Sequence, residues 1–393
     1  VAPGMVFWHD KGLHIKNKLI EHWRDIQRIA QYEEVSTPQV MDRKLWEVSG
    51  HWSKYGENNF KTNYEGRDFL VKPMNCPGGA LVYNTRPKSY KDLPLRLAEM
   101  GVVHRVELSG VLAGLFRVIQ FTQDDAHLFC TEEQLEQEVM GVINLIKETF
   151  ALFNLDFDHV ELSTRPEKRL GSDAVWDFTE KTLESILKKS TLKYVVNKGD
   201  VAFYGPKIDF HVKDSLGRTW QCPTIQMDMS MPERFDLTYT TASGEEKRPV
   251  MLHRVIYGSI ERFIGIITEH LNGNFPLWVS PNQVAVLTMN DEVKPYAKDV
   301  SQKIFDAGFR VTVNDKNESM AKKAREAQVE RFNYLVTVGK KEQDNNTIAV
   351  RKRGSKDITE MTVEAFVEKL QEEMQNKESV SYTHLRAHET DRH

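Results

Sequence analysis

The stretch Gly101 to Cys130, GVVHRVELSGVLAGLFRVIQFTQDDAHLFC, brings a guanidinium, carboxylates, an amide and an imidazole close together in sequence. A strand over Val102 to Leu108 would put Arg105 and Glu107 on one face, because strand side chains alternate. A loop over Ser109 to Phe116, with Gly110 and Gly114 to bend it, leads into a return strand with Gln123, Asp125 and His127 on one face. Fixed charges beside an amide and an imidazole suit a polar, charged ligand; a solvated outer sheet face is the alternative. Further on, Tyr204 and Lys207 flank a turn, and Gln221, Thr224 and Gln226 are polar positions in a strand-like run. Buried polar side chains need partners, which either a ligand or edge exposure would supply. His253 is expected at the start of a helix whose face carries Gly258 and Arg262, four apart. Cys76, at a turn Cys76-Pro77-Gly78-Gly79, reads as a metal ligand, a nucleophile or inert packing. His51 reads as a loop histidine. Arg351, Lys352, Arg353 and Lys356 follow a strand, as a solvated edge or a grip on phosphate.

These residues need a scaffold, and periodicity supplies one. Lys11 to Tyr32 is an amphipathic helix with Leu13, Leu19, Ile20, Trp23, Ile26 and Ile29 at near-helical spacing. Glu33 to Val40 reads as a short strand interrupted by Pro38, and Phe69 to Gly79 as a strand running into a tight turn. Thr131 to Phe153 is a helix opened by a Thr131/Gln134 capping box. Phe157 to Ser163 is a strand and Asp173 to Lys188 a helix. Val201 to Val212 and Arg218 to Met229 are antiparallel-type strands. Asn272 to Pro281, with two prolines and no periodicity, marks a domain boundary. Beyond it strands at Val284 to Thr288, Phe309 to Val313, Tyr334 to Val338 and Thr347 to Lys352 alternate with helices, which indicates a small α/β domain.

Composition bounds the class. The 393 residues suffice for two or three domains, with 40% hydrophobic and 28% charged residues as in soluble globular proteins. The net charge of −4 confines any nucleic-acid surface to a local patch. Three scattered cysteines, Cys76, Cys130 and Cys222, argue against a disulfide framework and for a reducing compartment. No apolar run approaches the roughly 18 residues of a membrane span, and no signal peptide is visible, so a cytoplasmic protein is expected. The chain starts at Val1 rather than Met and reads as a fragment lacking N-terminal domains. Ser379 to His393 has no periodicity and reads as a non-native tail, so His384, His388 and His393 enter no metal argument.

HRVELSG (His104 to Gly110), Arg117 and FTQDDAHLFC (Phe121 to Cys130) resemble motif 2 of class II aminoacyl-tRNA synthetases. GSIERF (Gly258 to Phe263) resembles their motif 3, and Pro38 ends a segment like motif 1. MNCPGG, QDDAH and LHRVIYGSIERF are similar to the threonine-specific branch, and the likeness runs from residue 1 to about 378. The resemblance implies an α+β catalytic domain over residues 1–275, its antiparallel sheet flanked by helices. It also implies a smaller α/β anticodon-binding domain with a mixed five-stranded sheet over 276–378, and a homodimer. It implies activation of L-threonine with ATP and Mg²⁺, then transfer to the 3′ end of tRNA(Thr). Arg105 would hold the α-phosphate, Glu107 the adenine side and Arg262 the far end of ATP, with Arg117 and Gln221 also at the nucleotide. A planar guanidinium suits this, engaging two phosphate oxygens at once. Met74, Gln123, Asp125, Tyr204, Lys207 and Gln226 would surround threonine, and His51 would lie near the terminal ribose of tRNA. Cys76, His127 and His253 would hold one zinc ion, a set that leaves the open position of a substrate-handling metal. Sequence-local zinc signatures are much tighter than this spacing. Asn317, Glu342 and Arg351 would contact the anticodon.

The chain departs from the family pattern at Gly79, Val106, Leu108 and Pro223, which bears on fine substrate contacts and removes no expected ligand. A prolyl or seryl relative, or an inactive paralogue that binds RNA, are the competing readings. Cys76 with the two histidines argues against the first, and intact Arg105 and Arg262 against the second. An editing domain, N-terminal to the core in this family, is expected to be absent, so uncorrected Ser-tRNA is the expected by-product.

Overall fold

The computed structural model describes every residue except 1, 55–58, 109, 168, 170–171, 200, 202–203, 215 and 379–393. The Ser379 to His393 tail, Ser109 and part of the expected strand from Val201 therefore lie outside the described residues. The chain divides into two compact units.

The first unit, Val1–Phe7, Ile20–Phe150 and Leu155–Ile266, is built on one large sheet. Helix α1 (Asp10–Ile29) buries Ile15, Leu19 and Trp23, one helical turn apart, which is why its apolar stripe forms a helix. After it come strand β1 (Glu33–Glu34), strand β2 (Val40–Asp42), helices α2 (Arg43–Ser49) and α3 (His51–Lys54), and strands β3 (Lys61–Tyr64) and β4 (Arg67–Val71). Strands β2, β4 and β3 form a small sheet of their own. Helix α4 (Cys76–Tyr83) precedes the long hairpin of β5 (Leu95–His104) and β6 (Gln120–Cys130). Next are α5 (Leu135–Ala151), β7 (His159–Thr164), α6 (Asp173–Lys189), β8 (Tyr194–Lys198), β9 (Lys207–Lys213) and β10 (Thr219–Asp228). Short α7 (Ser230–Arg234), the pair β11 (Tyr239–Thr240) and β12 (Glu246–Lys247), β13 (Val250–Ser259) and α8 (Ile260–His270) follow. The eight-stranded sheet has the order β1-β5-β6-β13-β10-β9-β7-β8. Its inner neighbours are antiparallel, and only the two outermost pairs are parallel.

Several sequence expectations are corrected here. Strand β5 ends at His104, opposite Gln120. Arg105 and Glu107 therefore stand in the hairpin loop, where strand alternation does not orient them. Cys76 to Gly79 is the first turn of α4, with Pro77 where a missing N–H costs nothing. His253 sits in the middle of β13, and the helix starts only at Ile260. The apolar run from Val250 misleads because a strand buried on both faces has no period to tell it from a helix. Gly258 thus belongs to a strand and Arg262 to a helix. The Glu33 to Val40 segment splits, Glu33 and Glu34 pairing with β5 and Val40 with β4, while Pro38 joins neither ladder. Of the Thr131/Gln134 capping box one half is present: the Gln134 side chain accepts from the Thr131 N–H at 3.0 Å, and regular helix begins at Leu135.

The second unit comprises Trp8–Leu19, which takes in the first half of α1, with Ala151–Asn154 and the described residues from Ile267 on. It holds β14 (Val284–Thr288), α9 (Lys294–Asp306), β15 (Val311–Asn314), α10 (Met320–Val329), β16 (Tyr334–Val338), α11 (Lys340–Asn345), β17 (Ile348–Lys352), β18 (Thr359–Met361) and α12 (Val363–Asn376). The sheet is mixed and five-stranded, in the order β15-β14-β16-β17-β18. Val284, Val286, Tyr334 and Val336 pack with Val300 of α9 and Phe366 and Leu370 of α12. The alternate residues Ala285, Leu287 and Leu335 pack with Ala327 of α10. Strand β18 and helix α11 carried no sequence signal strong enough to be read.

Candidate active site

The sheet register makes the site. Lys207 of β9 pairs with Gln226 of β10, Gln226 with His253 of β13, and His253 with His127 of β6. One row on, Asp209 pairs with Thr224, Thr224 with Val255, and Val255 with Asp125. Residues far apart in sequence thus become lateral neighbours about 4.8 Å apart. A cavity of about 560 Å³ opens over these rows. Arg105, Glu107, Arg117, Gln221 and Arg262 line it, as do Met74, Gln123, Asp125, Tyr204, Lys207 and Gln226, with Cys76 and His253. His127 is buried beneath it, and His51 lines a smaller adjoining cavity with Cys76, Tyr204 and Asp228.

At one part of the cavity Cys76, His127 and His253 each offer a ligand atom, all within 4.8 Å of one another. The two imidazoles stand at right angles with centroids 5.1 Å apart. His127 Nε2 is buried without a hydrogen-bond partner. Burial, reinforced by His253 and Arg254, drives the His127 pKa well below its ordinary value, which keeps the imidazole neutral. His253 Nε2 faces the Asp228 carboxylate at 2.8 Å, which leaves Nδ1 to act as a ligand. Burial, then the charges of Asp125 and Asp228, hold the Cys76 thiol well above its usual pKa, so a cation is needed to make it a thiolate. A buried orphan nitrogen, a neutral imidazole and a soft thiol fit zinc, with one of four positions left open. Asp125 is close by, accepting from the Asn75 amide at 3.3 Å, and burial raises its pKa. Gly79 stands beside this group: a Cβ there would lie 3.0 Å from His127 Nδ1.

Elsewhere in the cavity the arginines are anchored by backbone carbonyls. Arg262 donates through Nε to Phe116 O at 2.8 Å and through Nη1 to Gln221 O at 3.0 Å. Its guanidinium also lies over the Trp220 ring, 5.3 Å from the centroid. Arg105 donates to Pro73 O at 3.2 Å and lies over the Phe121 ring at 5.2 Å. Arg117 pairs with Glu107 at 2.9 Å. Lys207 pairs with Asp209 at 2.7 Å, and the Gln221 amide donates to Asp209 at 2.6 Å. Gln226 donates to Gly205 O at 3.0 Å.

Two buried carboxylates set the backbone that carries Arg262. Asp124, facing away from its neighbours Gln123 and Asp125, accepts from the N–H groups of Ile256, Tyr257 and Gly258 at 2.9–3.0 Å. Burial pushes its carboxyl up to about 7 against the pull of Arg254 and these amides. The bonds hold a bulge in β13, where Gly258 has φ of +82° and a Cβ would meet Cys222 O at 2.8 Å. A second bulge in β10, between Gln221 and Thr224, accommodates Pro223. Glu261 accepts from the Thr122 N–H at 2.8 Å and ties the first turn of α8 to β6.

Sequence reasoning missed Asp124, Asp209, Asp228 and Asn75. Asp209 alone had a readable signal, its place two residues from Lys207 on one strand. In the second unit Glu342 accepts from the Gly339 N–H at 2.9 Å and so caps its own helix. Asn317 is exposed before α10, and Arg351 lies half-buried in β17. The basic run is partly internal: Arg353 donates to Arg331 O and Phe275 O, and Lys352 pairs with Glu373.

Residues 60–271 match the tRNA synthetase class II core domain (G, H, P, S and T), and residues 283–373 match the anticodon binding domain. With the antiparallel sheet and its cavity of arginines, this is a class II tRNA synthetase core: the chain belongs to that family and also carries its anticodon-binding domain. Within it the chain is similar to threonine--tRNA ligases, 52% identical over 376 residues to that of Carboxydothermus hydrogenoformans and 51% over 385 residues to that of Chlamydia felis. These alignments cover 96% and 98% of this chain but 59% and 60% of the relatives, so the chain spans about three-fifths of their length. A crystal structure titled as the RNA binding domain of threonyl-tRNA synthetase from Cryptosporidium parvum superposes with a TM-score of 0.90 at 39% identity, covering 95% of this chain and 93% of that one. A prolyl-tRNA synthetase structure from the same organism shares the fold at 14% identity and a TM-score of 0.70, covering 95% and 72%.

Proposed function

We propose that the chain performs the two steps of a threonine--tRNA ligase, joining L-threonine to the AMP part of ATP with release of pyrophosphate and passing threonine to the 3′ end of tRNA(Thr) with release of AMP. The observation that carries this reading is the Cys76, His127 and His253 group in the same cavity as Arg105 and Arg262. Gln226 neighbours His253, and Gln221, whose carbonyl receives Arg262, lies five residues earlier on β10. At roughly 3.3 Å per residue that separation is at most about 16 Å, on the scale of an amino acid joined to a nucleotide.

A zinc ion held by Cys76, His127 and His253 would supply Lewis-acid chemistry, and by accepting a fifth ligand it would take an amino group and a hydroxyl together. Asp125 would accept a hydrogen bond from the amino group, which can ligate zinc only after its ammonium proton has left. Met74, Gln123, Tyr204, Lys207 and Gln226 close round the amino acid. Arg105 takes the α-phosphate and stabilises the charge that grows on it during carboxylate attack. Arg262 holds the outer phosphates of Mg²⁺-ATP, with Arg117 and Gln221 beside the nucleotide and Glu107 on its adenine side. Pre-anchored guanidiniums suit this chemistry, which depends on positioning and charge stabilisation. His51 serves the tRNA ribose, Asn317, Glu342 and Arg351 the anticodon, and the protein works as a cytoplasmic homodimer. No helix of the described residues is long and apolar enough to cross a membrane.

The test is amino-acid-dependent pyrophosphate exchange. Threonine should support it and serine should follow within about 10- to 200-fold, since one methyl is worth little. Valine should fall about 10⁴–10⁵-fold behind, because it leaves a site built for a hydroxyl unsatisfied. Exchange with valine as fast as with serine would sink the reading.

A further inference from the structure

On the same sheet, beside Gln221 and Lys207 but using neither, His159 and Glu161 lie two apart on β7 and so share a face. His211 of β9 stands directly opposite His159 in the antiparallel register. The two imidazoles stack nearly parallel, with centroids 4.4 Å apart and planes 7° apart. One ligand atom from each of the three lies within 4.8 Å of the others. His159 Nε2 is 3.1 Å from Glu161 Oε1, and His211 Nε2 is 3.6 Å from Glu161 Oε2. His211 Nε2 is buried and makes no hydrogen bond.

The surroundings fix which atoms face inward. Asp158 accepts from His159 Nδ1 at 2.7 Å and is itself paired with Lys213 at 2.6 Å. Nε2 of the same ring is hydrogen-bonded to Glu161 at 3.1 Å, and a bound cation would displace the proton of that bond. The carboxylate–histidine pair is the arrangement that orients imidazoles at metal centres. The Asn197 amide donates to Glu161 Oε2 at 3.1 Å and sets that carboxylate in turn. Burial opposes charge on Glu161, but Asn197 and the two imidazoles outweigh it and its pKa falls. Burial lowers the pKa of His211, with Glu161 pulling the other way.

We propose that His159, Glu161 and His211 form a second divalent-metal site, suited to zinc, that clips β7 to β9. Bonds of about 2.0–2.1 Å place tetrahedral ligand atoms about 3.3 Å apart. The nitrogen–oxygen separations, 3.1 Å to Oε1 and 3.6 Å to Oε2, are of that size, and the stacked rings must turn for both in-plane lone pairs to meet one ion. Two imidazoles and a carboxylate without thiolate suit zinc, copper or nickel and are poor for magnesium or calcium. The clip has a reach into the active cavity, because Lys207 and Asp209 share the β9 face of His211.

The experiment is zinc stoichiometry by elemental analysis after loading with Zn²⁺ and desalting. Wild type should hold one equivalent more than either His211→Ala or the near-isosteric Glu161→Gln, with far-UV circular dichroism checking the fold. Cys76→Ser should keep this equivalent, and its Co²⁺ form should show ligand-field bands without a thiolate charge-transfer band. Asp158→Asn should weaken binding about 10- to 100-fold, as loss of a supporting carboxylate does. Equal zinc in wild type, His211→Ala and Glu161→Gln would overturn the proposal. Failure of the Cys76 site alone would instead leave wild type and Cys76→Ser equal, with His211→Ala still one lower.

Discussion

Cys76 is a first-turn helix residue whose thiol burial keeps protonated, facing two imidazoles of which one has an orphan nitrogen. Replacing it with serine should remove one zinc equivalent and threonine-dependent exchange together. Zinc content and exchange rate measured on the same preparation check this, and exchange surviving in zinc-free protein would refute it. His51 offers a pH test. Its Nδ1 lies 2.8 Å from the Ser49 hydroxyl and its Nε2 2.9 Å from Met74 Sδ, and burial lowers its pKa from 6.5 to about 4. Below pH 6.5 the unfolded chain takes up a proton that the folded histidine refuses until about 4, so stability drains as pH falls across that window and then levels off. His51→Gln should lose less stability than wild type between pH 6.5 and 4, read from urea midpoints. None of this was legible from His51 itself, which looked like any loop histidine. Cys76, His127 and His253 were grouped only through a family likeness, because no local spacing encodes a register across strands. Asp228 and Asn75 escaped even that, since each acts by orienting another side chain.

At the scale of elements, the placing of α4 depends on a buried ion pair. Lys72 Nζ lies 2.8 Å from Glu99 Oε1 and 3.0 Å from Thr37 Oγ1, and Glu99 accepts from the Thr37 N–H. Thr37 in turn packs on Gly78, where a Cβ would lie 2.7 Å from its methyl group, so α4 sits against this network. Lys72→Met should cost about 3–5 kcal/mol by leaving Glu99 buried and uncompensated, whereas Lys72→Met with Glu99→Leu should recover much of it. Urea unfolding of the three proteins decides. Element types were read well where periodicity was long, as in α1, α5, α6 and the alternating strands and helices after Pro281. They were misread at β13 and α4, where a doubly buried strand and a proline-opened helix mimic other structures.

At the scale of the whole molecule, the core match and the anticodon-domain match fall on separate segments. If the second segment serves tRNA, a chain lacking residues 283–373 should keep threonine-dependent pyrophosphate exchange and lose most charging of tRNA(Thr). Arg351→Ala in the full chain should weaken tRNA binding and leave the KM for threonine unchanged. Aminoacylation, filter binding and exchange kinetics together test both statements, and equal tRNA binding by Arg351→Ala and wild type would refute the second. The basic run was the less reliable guide here. Arg353 and Lys352 are engaged with the protein itself, which sequence could not reveal.

The lateral rows Lys207–Gln226–His253–His127 and Asp209–Thr224–Val255–Asp125 also govern what heredity can do to this protein. Every member is held in place by the parity of its position along a strand. A substitution changes one member, but losing one residue inside β6, such as Ala126, inverts the parity of everything on one side of the gap. Asp125 and His127 could then no longer share a face. An in-frame deletion scan should therefore find these strands far less forgiving than any substitution scan at the same positions, with tolerance returning only at 110–112 of the hairpin loop, clear of Arg105, Glu107, Phe116 and Arg117. The site behaves as a phase that the gene must keep, and reading-length errors threaten it more than spelling errors do.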